Sequence, residues 1–328
     1  MQQAVYTDEF LTAKRLNGDC KADRLIQKAL ADPASTSEFY AWFSTLSTNA
    51  SLQNIPEAFK QEELIMDAAS LPAWAEPSLL RQGAEFYRRH SAAIMQLLGL
   101  LSLPYCYAAA NGARVIYLSE RLRSDTAKRL ADTGTFVQEV LEPNAFSIAG
   151  KGFMAILKTR LIHATARYYT LKCDNWNADW GTPVNQEDMA GTNLAFSLIV
   201  IRGLRRLGTG ISYSEQKAFL HLWNIIGFKL GLDEDLIPSD GKAANQLEKS
   251  IRQRQFKASD HGRELTRALL KSFTTIDPAN PVNVKQAKQF MCYFLDQEVA
   301  EMLGINDVSV PFHVPYLIKA FSALSPYR

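Results

Sequence analysis

Residues 151–171, KGFMAILKTRLIHATARYYTL, are the stretch from which we infer the fold. Drawn as a helix, this stretch carries apolar residues on every side, a pattern typical of a helix buried in a protein core. Three large polar side chains interrupt it: Arg160, His163 and Arg167. Arg160 lies three residues before the histidine and Arg167 lies four residues after it. These offsets predict that all three side chains share one face of the helix.

The three side chains on this face suit one particular cofactor. A neutral imidazole is a common metal ligand, and guanidinium groups bind carboxylates well. We therefore predict that His163 binds the iron of haem b, while Arg160 and Arg167 meet its two propionates. A structural interpretation stays open beside this one. A buried histidine is more often a hydrogen-bonded core residue, and the arginines can pair with acids such as Asp188.

Composition excludes several other classes of protein. The chain has 328 residues, of which 47% are hydrophobic, and a formal net charge of +2. No basic stripe is present, so nucleic-acid binding is not expected. The four cysteines are widely spaced and form no CxxC pair, which argues against a zinc site made of cysteines. The nucleotide-binding, HExxH and GxSxG motifs do not occur in the sequence.

Two stretches bear on location in the cell. The N-terminus, MQQAVYTDEF, is polar and has no apolar core of a signal peptide, so we expect a cytoplasmic protein. Residues 92–110 are apolar and about long enough to span a membrane. However, Gln96, Ser102 and Pro104 interrupt this stretch. We predict two buried helices that meet at Pro104, and no stable membrane insertion.

The rest of the chain shows helical periodicity almost throughout, so we predict an all-α fold. No flexible linker divides the sequence, which favours a single domain over residues 1–328. A helix over residues 124–131 is expected to end near Asp132 and Thr133, with Gly134 as its C-terminal cap. A later helix is predicted over residues 186–207, with Asn185 as its N-cap.

Three stretches in a fixed order carry a family resemblance. They are Thr133-Gly134 after an arginine-containing helix, the Arg160-x-x-His163-x-x-x-Arg167 helix, and PVNQEDMAGT at residues 183–192. Together they resemble the latex-clearing protein (rubber oxygenase) family, which also includes the MpaB-type haem oxygenases. The resemblance covers a core of about residues 75–255, and the N-terminal and C-terminal helices are expected to pack around it.

This resemblance implies a globin-like helical core that encloses one haem b. In that family a histidine on the central helix is the proximal iron ligand, and His163 stands at its position. The flanking arginines match Arg160 and Arg167, and a further arginine matches Arg129. Threonines of the distal side correspond to Thr133 and Thr192, which would hydrogen-bond dioxygen or position the substrate. Characterised members cleave carbon–carbon double bonds of isoprenoid chains with dioxygen.

The sequence departs from the family at one position. Rubber-cleaving members carry a lysine next to the distal threonine, whereas this chain carries Asp132, which becomes a third catalytic candidate with Thr133 and Thr192. A carboxylate there changes the electrostatics of the pocket and argues against rubber as the substrate, as does the missing secretion signal. We predict a haem b oxygenase that acts on a small apolar substrate, such as an isoprenoid, with dioxygen. A haem or apolar-ligand carrier or sensor, and a purely structural helical protein, remain as alternatives. The sequence does not indicate the oligomeric state.

Overall fold

The computed structural model describes residues 6–118, 126–276 and 283–323, and within these ranges the predicted all-α fold is confirmed. No strand forms in these ranges apart from one isolated bridge between Ala109 and Phe256. The first half of the chain forms α1 (Asp8–Arg15), α2 (Cys20–Ala29), α3 (Pro33–Thr45), α4 (Glu63–Met66), α5 (Pro77–Leu97), α6 (Leu103–Ala108), α7 (Ala110–Leu118) and α8 (Thr126–Leu141). The second half forms α9 (Gly152–Thr170), α10 (Gln186–Phe196), α11 (Leu198–Arg206), α12 (Tyr213–Lys229), α13 (Gly241–Gln255), α14 (Asp260–Ile276), α15 (Val284–Phe294), α16 (Gln297–Met302) and α17 (Val314–Ala323).

The predicted central helix is present as α9, whose bounds agree with the sequence interpretation to within one residue at each end. Its N-terminal half is almost entirely buried, from Gly152 to Leu157. It packs against α2 on one side and against α8 on another. The helix that carries His163 is therefore held between the N-terminal helices and the rest of the core.

The largest helix pair is formed by α5 and α12. Gly83 on α5 makes their close approach possible, because a Cβ atom at this position would lie only 2.7 Å from the carbonyl oxygen of Ala218 on α12. Both helices contribute fully buried aromatic side chains to the core, including Phe86 and Phe219. Helix α10 packs against α12, and helix α11 packs against α5.

The predicted break at Pro104 is wrong. Helix α5 runs into a π-helical turn at Leu98–Ser102 and then directly into α6, which contains Pro104. The amide of Leu103 bonds to the carbonyl of Leu98, five residues back, and this wider turn gives the proline ring room. The combined helix Pro77–Ala108 is long and apolar enough to cross a membrane, although 67% of its most apolar window is buried inside the protein.

The predicted helix end at Gly134 is also wrong. Helix α8 continues without a break from Thr126 to Leu141, and Gly134 lies in its interior. A Cβ atom at Gly134 would lie 3.1 Å from the terminal methyl group of Met95, so this glycine brings α8 close to α5. The start of this helix that we predicted at Ser124 lies outside the described residues.

The helix predicted over residues 186–207 forms as two helices, α10 and α11, that meet at Ser197. Asn185 caps α10 as expected, accepting a hydrogen bond from the amide of Asp188 at 2.9 Å. At the junction the Ser197 hydroxyl donates to the carbonyl of Asn193 at 2.7 Å. Such a bond from a buried serine to the preceding turn bends a helix, and the apolar periodicity of the sequence does not reveal it.

Candidate functional site

The three polar side chains of α9 do share one face, and the two arginines on it point toward α2. Arg160 binds Asp19 through two nitrogens, with Nη2 at 2.9 Å from Oδ1. Arg167 donates from Nε to Oδ1 of Asp23 at 2.7 Å. Asp19 and Asp23 lie four residues apart, so both carboxylates face α9 from one side of α2. Two ion pairs therefore connect the histidine helix to an N-terminal helix.

The remaining nitrogens of the two arginines differ in their bonding. Arg160 also donates from Nη1 to the carbonyl of Lys229 at 3.2 Å, so all three of its nitrogens are bonded. Arg167, only 2% exposed, donates from Nη1 to the carbonyl of Val184 at 3.0 Å, while its Nη2 is buried and has no partner among the described residues. Arg167 thus has a nitrogen that makes no hydrogen bond there, whereas each nitrogen of Arg160 makes one. The role of both as propionate ligands stays a prediction.

The partner that we named for the structural alternative is wrong, because Asp188 pairs with Arg15 at 2.9 Å instead of with an α9 arginine. Its neighbour Glu187 is fully buried and accepts hydrogen bonds from Arg15, Arg254 and Gln255. This buried group ties α10 to α1 and α13. Its importance was not evident from the sequence, where Glu187 looked like an ordinary acid of a first helical turn.

The imidazole of His163 has no hydrogen-bond partner in the described part of the chain. Its Nδ1 is buried without a partner, its Nε2 makes no hydrogen bond there, and the residue as a whole is half-buried. Burial lowers the pKa of His163 to about 4, and the nearby Arg167 acts in the same direction, whereas Asp19 opposes them. The ring is therefore neutral at physiological pH. A neutral imidazole with an accessible nitrogen lone pair is fit to bind a metal.

Two of the other predicted residues lie on α8 and contact each other. Thr133 donates from Oγ1 to the carbonyl of Arg129 at 2.9 Å. Arg129 donates from Nη2 to the hydroxyl of Tyr107, and its guanidinium lies 5.4 Å from the centre of that ring. Its Nη1 is buried and has no partner among the residues that the structure describes. Asp132 is exposed and forms no hydrogen bond or ion pair with residues that the structure describes.

Thr192 is the predicted residue of α10, and it meets the Arg129 region through Cys106. Its hydroxyl donates to the carbonyl of Asp188 at 2.9 Å. Burial raises the pKa of Cys106 to about 12, while its hydrogen bond with Thr192 and the charge of Arg129 oppose that rise. Thr192 nevertheless retains accessible surface on a helix whose neighbouring residues are buried. We define the surface of Cys106, Arg129 and Thr192 as the recess.

Sequence analysis missed Cys106, because a lone cysteine in an apolar stretch looks like a core residue. The two surface clefts that stand out in the molecule lie elsewhere. One, of about 100 Å³, is lined by Glu76 and His221, and the other, of about 400 Å³, by Gln138 and Glu139. Neither contains a predicted site residue. In the described ranges no three His, Cys, Asp or Glu side chains gather as a metal site.

The residues present fit a haem group on two observations. First, His163 offers a neutral imidazole whose nitrogens are not engaged by described protein atoms. Second, buried guanidinium nitrogens without partners occur at Arg129 and Arg167. An unpartnered buried donor is costly, and a carboxylate is the acceptor that would best relieve it. Haem carries both the iron and the carboxylates that these two features require.

Comparisons with known proteins agree with the resemblance. A solved structure of latex clearing protein LCP in the closed state superimposes with a TM-score of 0.81, covering 96% of this chain and 86% of that one at 23% identity. At that level of identity the likeness establishes the fold alone. The rubber oxygenase of Streptomyces sp. (strain K30) is 26% identical over 246 residues, which are 74% of this chain. The aligned region spans only 60% of that relative's length.

The sequence profile that decides membership covers more than half of the chain. It is the profile described as "ER-bound oxygenase mpaB/B'/Rubber oxygenase, catalytic domain", and it matches residues 87–316. The match includes α8, α9 and α10 and continues beyond the core expected from the sequence into the C-terminal helices. The chain therefore belongs to the MpaB and rubber oxygenase catalytic-domain family.

Proposed function

We propose that this protein is a haem b oxygenase that acts on an apolar substrate with dioxygen. The observation that carries the proposal is the state of His163: a neutral, deeply placed imidazole with no hydrogen bond to a described residue. Buried histidines normally have a hydrogen-bond partner, so a histidine without one calls for a ligand. Membership of the family supplies the reaction class, because its name describes oxygenases.

In this proposal His163 is the protein ligand of the haem iron, and α9 holds its ring in place. When bound, the haem supplies the one-electron chemistry needed to activate dioxygen. Arg129 and Arg167 each contribute a buried nitrogen without a partner to the propionates. Arg160 makes three hydrogen bonds with its five N–H groups, so any contribution to the cofactor would come from the second N–H of Nη1 or Nη2.

The recess would receive dioxygen and the reacting part of the substrate. Thr133 and Thr192 both donate their hydroxyl proton to the backbone carbonyl four residues earlier. While these bonds are made each hydroxyl offers lone pairs only, and its proton must turn about Cβ–Oγ1 before it donates to a ligand. Asp132, exposed on α8, is a further acceptor. We propose that Thr133, Thr192 and Asp132 select a small unsaturated substrate of isoprenoid type over a polymer. We also propose that the protein is cytoplasmic and does not insert stably into a membrane.

The test of the cofactor is the absorption spectrum of protein purified from haem-supplied cells. We expect a Soret band in the wild-type protein and its loss in H163A, because this variant removes the proposed iron ligand. H221A is the matched control, since His221 lies in a surface cleft and accepts a hydrogen bond from the amide of Glu76. Absence of the band from the wild-type protein, with no spectral change on adding hemin, would overturn the proposal.

A non-catalytic carrier or sensor is the second candidate, and one observation favours it. No hydroxyl near the recess has a free proton to donate, because the protons of Thr133 and Thr192 are both engaged, position 132 is an acid, and the unbonded nitrogen of Arg129 is assigned to a propionate. Oxygen consumption by the haem-loaded protein with short unsaturated isoprenoids distinguishes the two functions. Consumption that depends on substrate supports the oxygenase, whereas substrate binding without consumption supports the carrier.

A further inference from the structure

One of the two acids that pair with the α9 arginines, Asp19, is also fixed independently of α9. Asp19 is the N-cap of α2, accepting a hydrogen bond from the amide of Ala22 at 3.3 Å, and it is 4% exposed. Asp23 lies one turn later on the same helix. A carboxylate anchored in this way cannot follow a moving partner, so α2 sets where the two guanidinium groups lie. We call Asp19, Asp23, Arg160 and Arg167 the clamp.

The charges of the clamp cancel. Two guanidinium groups and two carboxylates give no net charge, although the arginines alone would place two positive charges beside His163. The carboxylate of Asp19 lies on this face of α9, because it binds Arg160, which is one turn before His163. In a buried site such charges are weakly screened and act strongly on a neighbouring group. The environment of His163 therefore depends on both members of each pair.

We propose that Asp19 and Asp23 are positioning residues, which hold α9 in register and neutralise the arginines beside the iron ligand. This inference rests on the proposed function, because it assigns the clamp a role toward the same cofactor. The residues that surround a metal ligand tune the metal as much as the ligand itself does. Here the tuning is electrostatic, since neither carboxylate hydrogen-bonds to the imidazole.

The experiment compares the iron midpoint potential of two haem-loaded variants, D19N and R160Q. D19N leaves an unpaired positive charge near the iron, which favours the ferrous state and shifts the potential upward. R160Q leaves an unpaired negative charge and shifts it downward. Asparagine is as good an N-cap as aspartate, so D19N preserves the start of α2. A helix that is merely loosened would shift both variants in the same direction.

Two further variants complete the design. K28Q is the matched control, because Lys28 lies on α2 but pairs with Glu62 at 2.8 Å, away from α9. We expect its potential to equal that of the wild-type protein. D23N removes the other carboxylate of the clamp, at a position that does not cap a helix. Its midpoint potential tests the proposal if D19N does not fold. We expect an upward shift smaller than that of D19N, because the side chain of Asp23 is 28% exposed and its charge is better screened than that of Asp19, which is 3% exposed.

Hemin titration of the same proteins separates this inference from the proposed function. If the wild-type protein binds hemin but D19N and R160Q keep its potential, or shift it in the same direction, the clamp proposal is wrong and the haem assignment stands. If the wild-type protein binds no hemin, both are wrong. In the haem-free proteins we expect D23N and D19N to unfold at lower temperature than K28Q, as the loss of a buried pair requires.

Discussion

The α2 side and the recess side of α9 differ in how their charged groups are satisfied. On the α2 side, Arg160 and Arg167 are both paired with carboxylates. On the recess side, Arg129 has a hydroxyl and an aromatic ring as neighbours and no carboxylate partner among described residues. Both sides contain buried guanidinium groups, so the difference lies in the partners and not in the residue type.

This difference separates stability from ligand binding. Groups that are satisfied within the protein stabilise the fold, whereas groups left unsatisfied are retained at a cost and occur where a ligand completes the site. His163 lies on the same face of α9 as Arg160 and Arg167, and its Nδ1 is buried without a partner among described residues. The predictions that follow test whether the two sides respond differently to comparable substitutions.

The largest expected effect is on the α2 side. R167A removes a guanidinium that is 2% exposed and leaves the carboxylate of Asp23 and the carbonyl of Val184 without their donor. Breaking a buried pair in this way costs about 3–5 kcal/mol of unfolding free energy. Urea denaturation of the haem-free protein measures it. The control is R88A, which breaks an exposed pair with Glu85 and should not change the midpoint.

A second prediction concerns Lys229, a buried cation on the α2 side that has no carboxylate partner among described residues. It is 7% exposed, and its Nζ donates to the carbonyl of Asp67. Burial first, and then the charge of Arg160, lower the pKa of Lys229 from 10.5 to about 8. Between these two pH values the unfolded chain binds a proton that the folded protein does not. Folding stability should therefore rise with pH across this window, by about 3 kcal/mol at most.

The variant K229M should abolish this pH dependence and be more stable than the wild-type protein at pH 7. Thermal unfolding of the haem-free protein from pH 7 to pH 10.5 measures both effects. K217M is the control, because Lys217 is an exposed lysine of the same helix. If K229M and the wild-type protein keep parallel pH profiles, Lys229 is charged in the folded state and the α2 side tolerates an unpaired cation.

The features of α9 that depend on local sequence were predictable. The all-apolar pattern gave its bounds, and the spacing of Arg160, His163 and Arg167 placed them on one face. The acid partners were not predictable, because Asp19 and Asp23 lie more than 140 residues away along the chain. Their spacing of four residues was visible, but nothing in the sequence shows which basic helix such a pair faces.

The errors in helix boundaries have a common physical origin. We predicted helix boundaries at Pro104 and Gly134 that the structure does not have. We predicted no boundary at Ser197, where two helices meet. In each case the tertiary structure decided the outcome: a π-turn accommodates Pro104, close packing on Met95 requires Gly134, and a back-bond at Ser197 bends the chain. Local propensity does not contain these contacts.

The smallest expected effect on stability is on the recess side, and it is the sharpest test of the comparison. R129Q removes a guanidinium that already has an unpartnered buried nitrogen, so the haem-free protein should lose about 1 kcal/mol or less. The same variant should weaken hemin binding about tenfold or more, since a hydrogen bond to a charged group contributes about 1.5–3 kcal/mol. Urea denaturation and hemin titration of one preparation measure both. A stability loss as large as that of R167A, with unchanged hemin affinity, would show that Arg129 is as structural as the clamp and that the two sides do not differ.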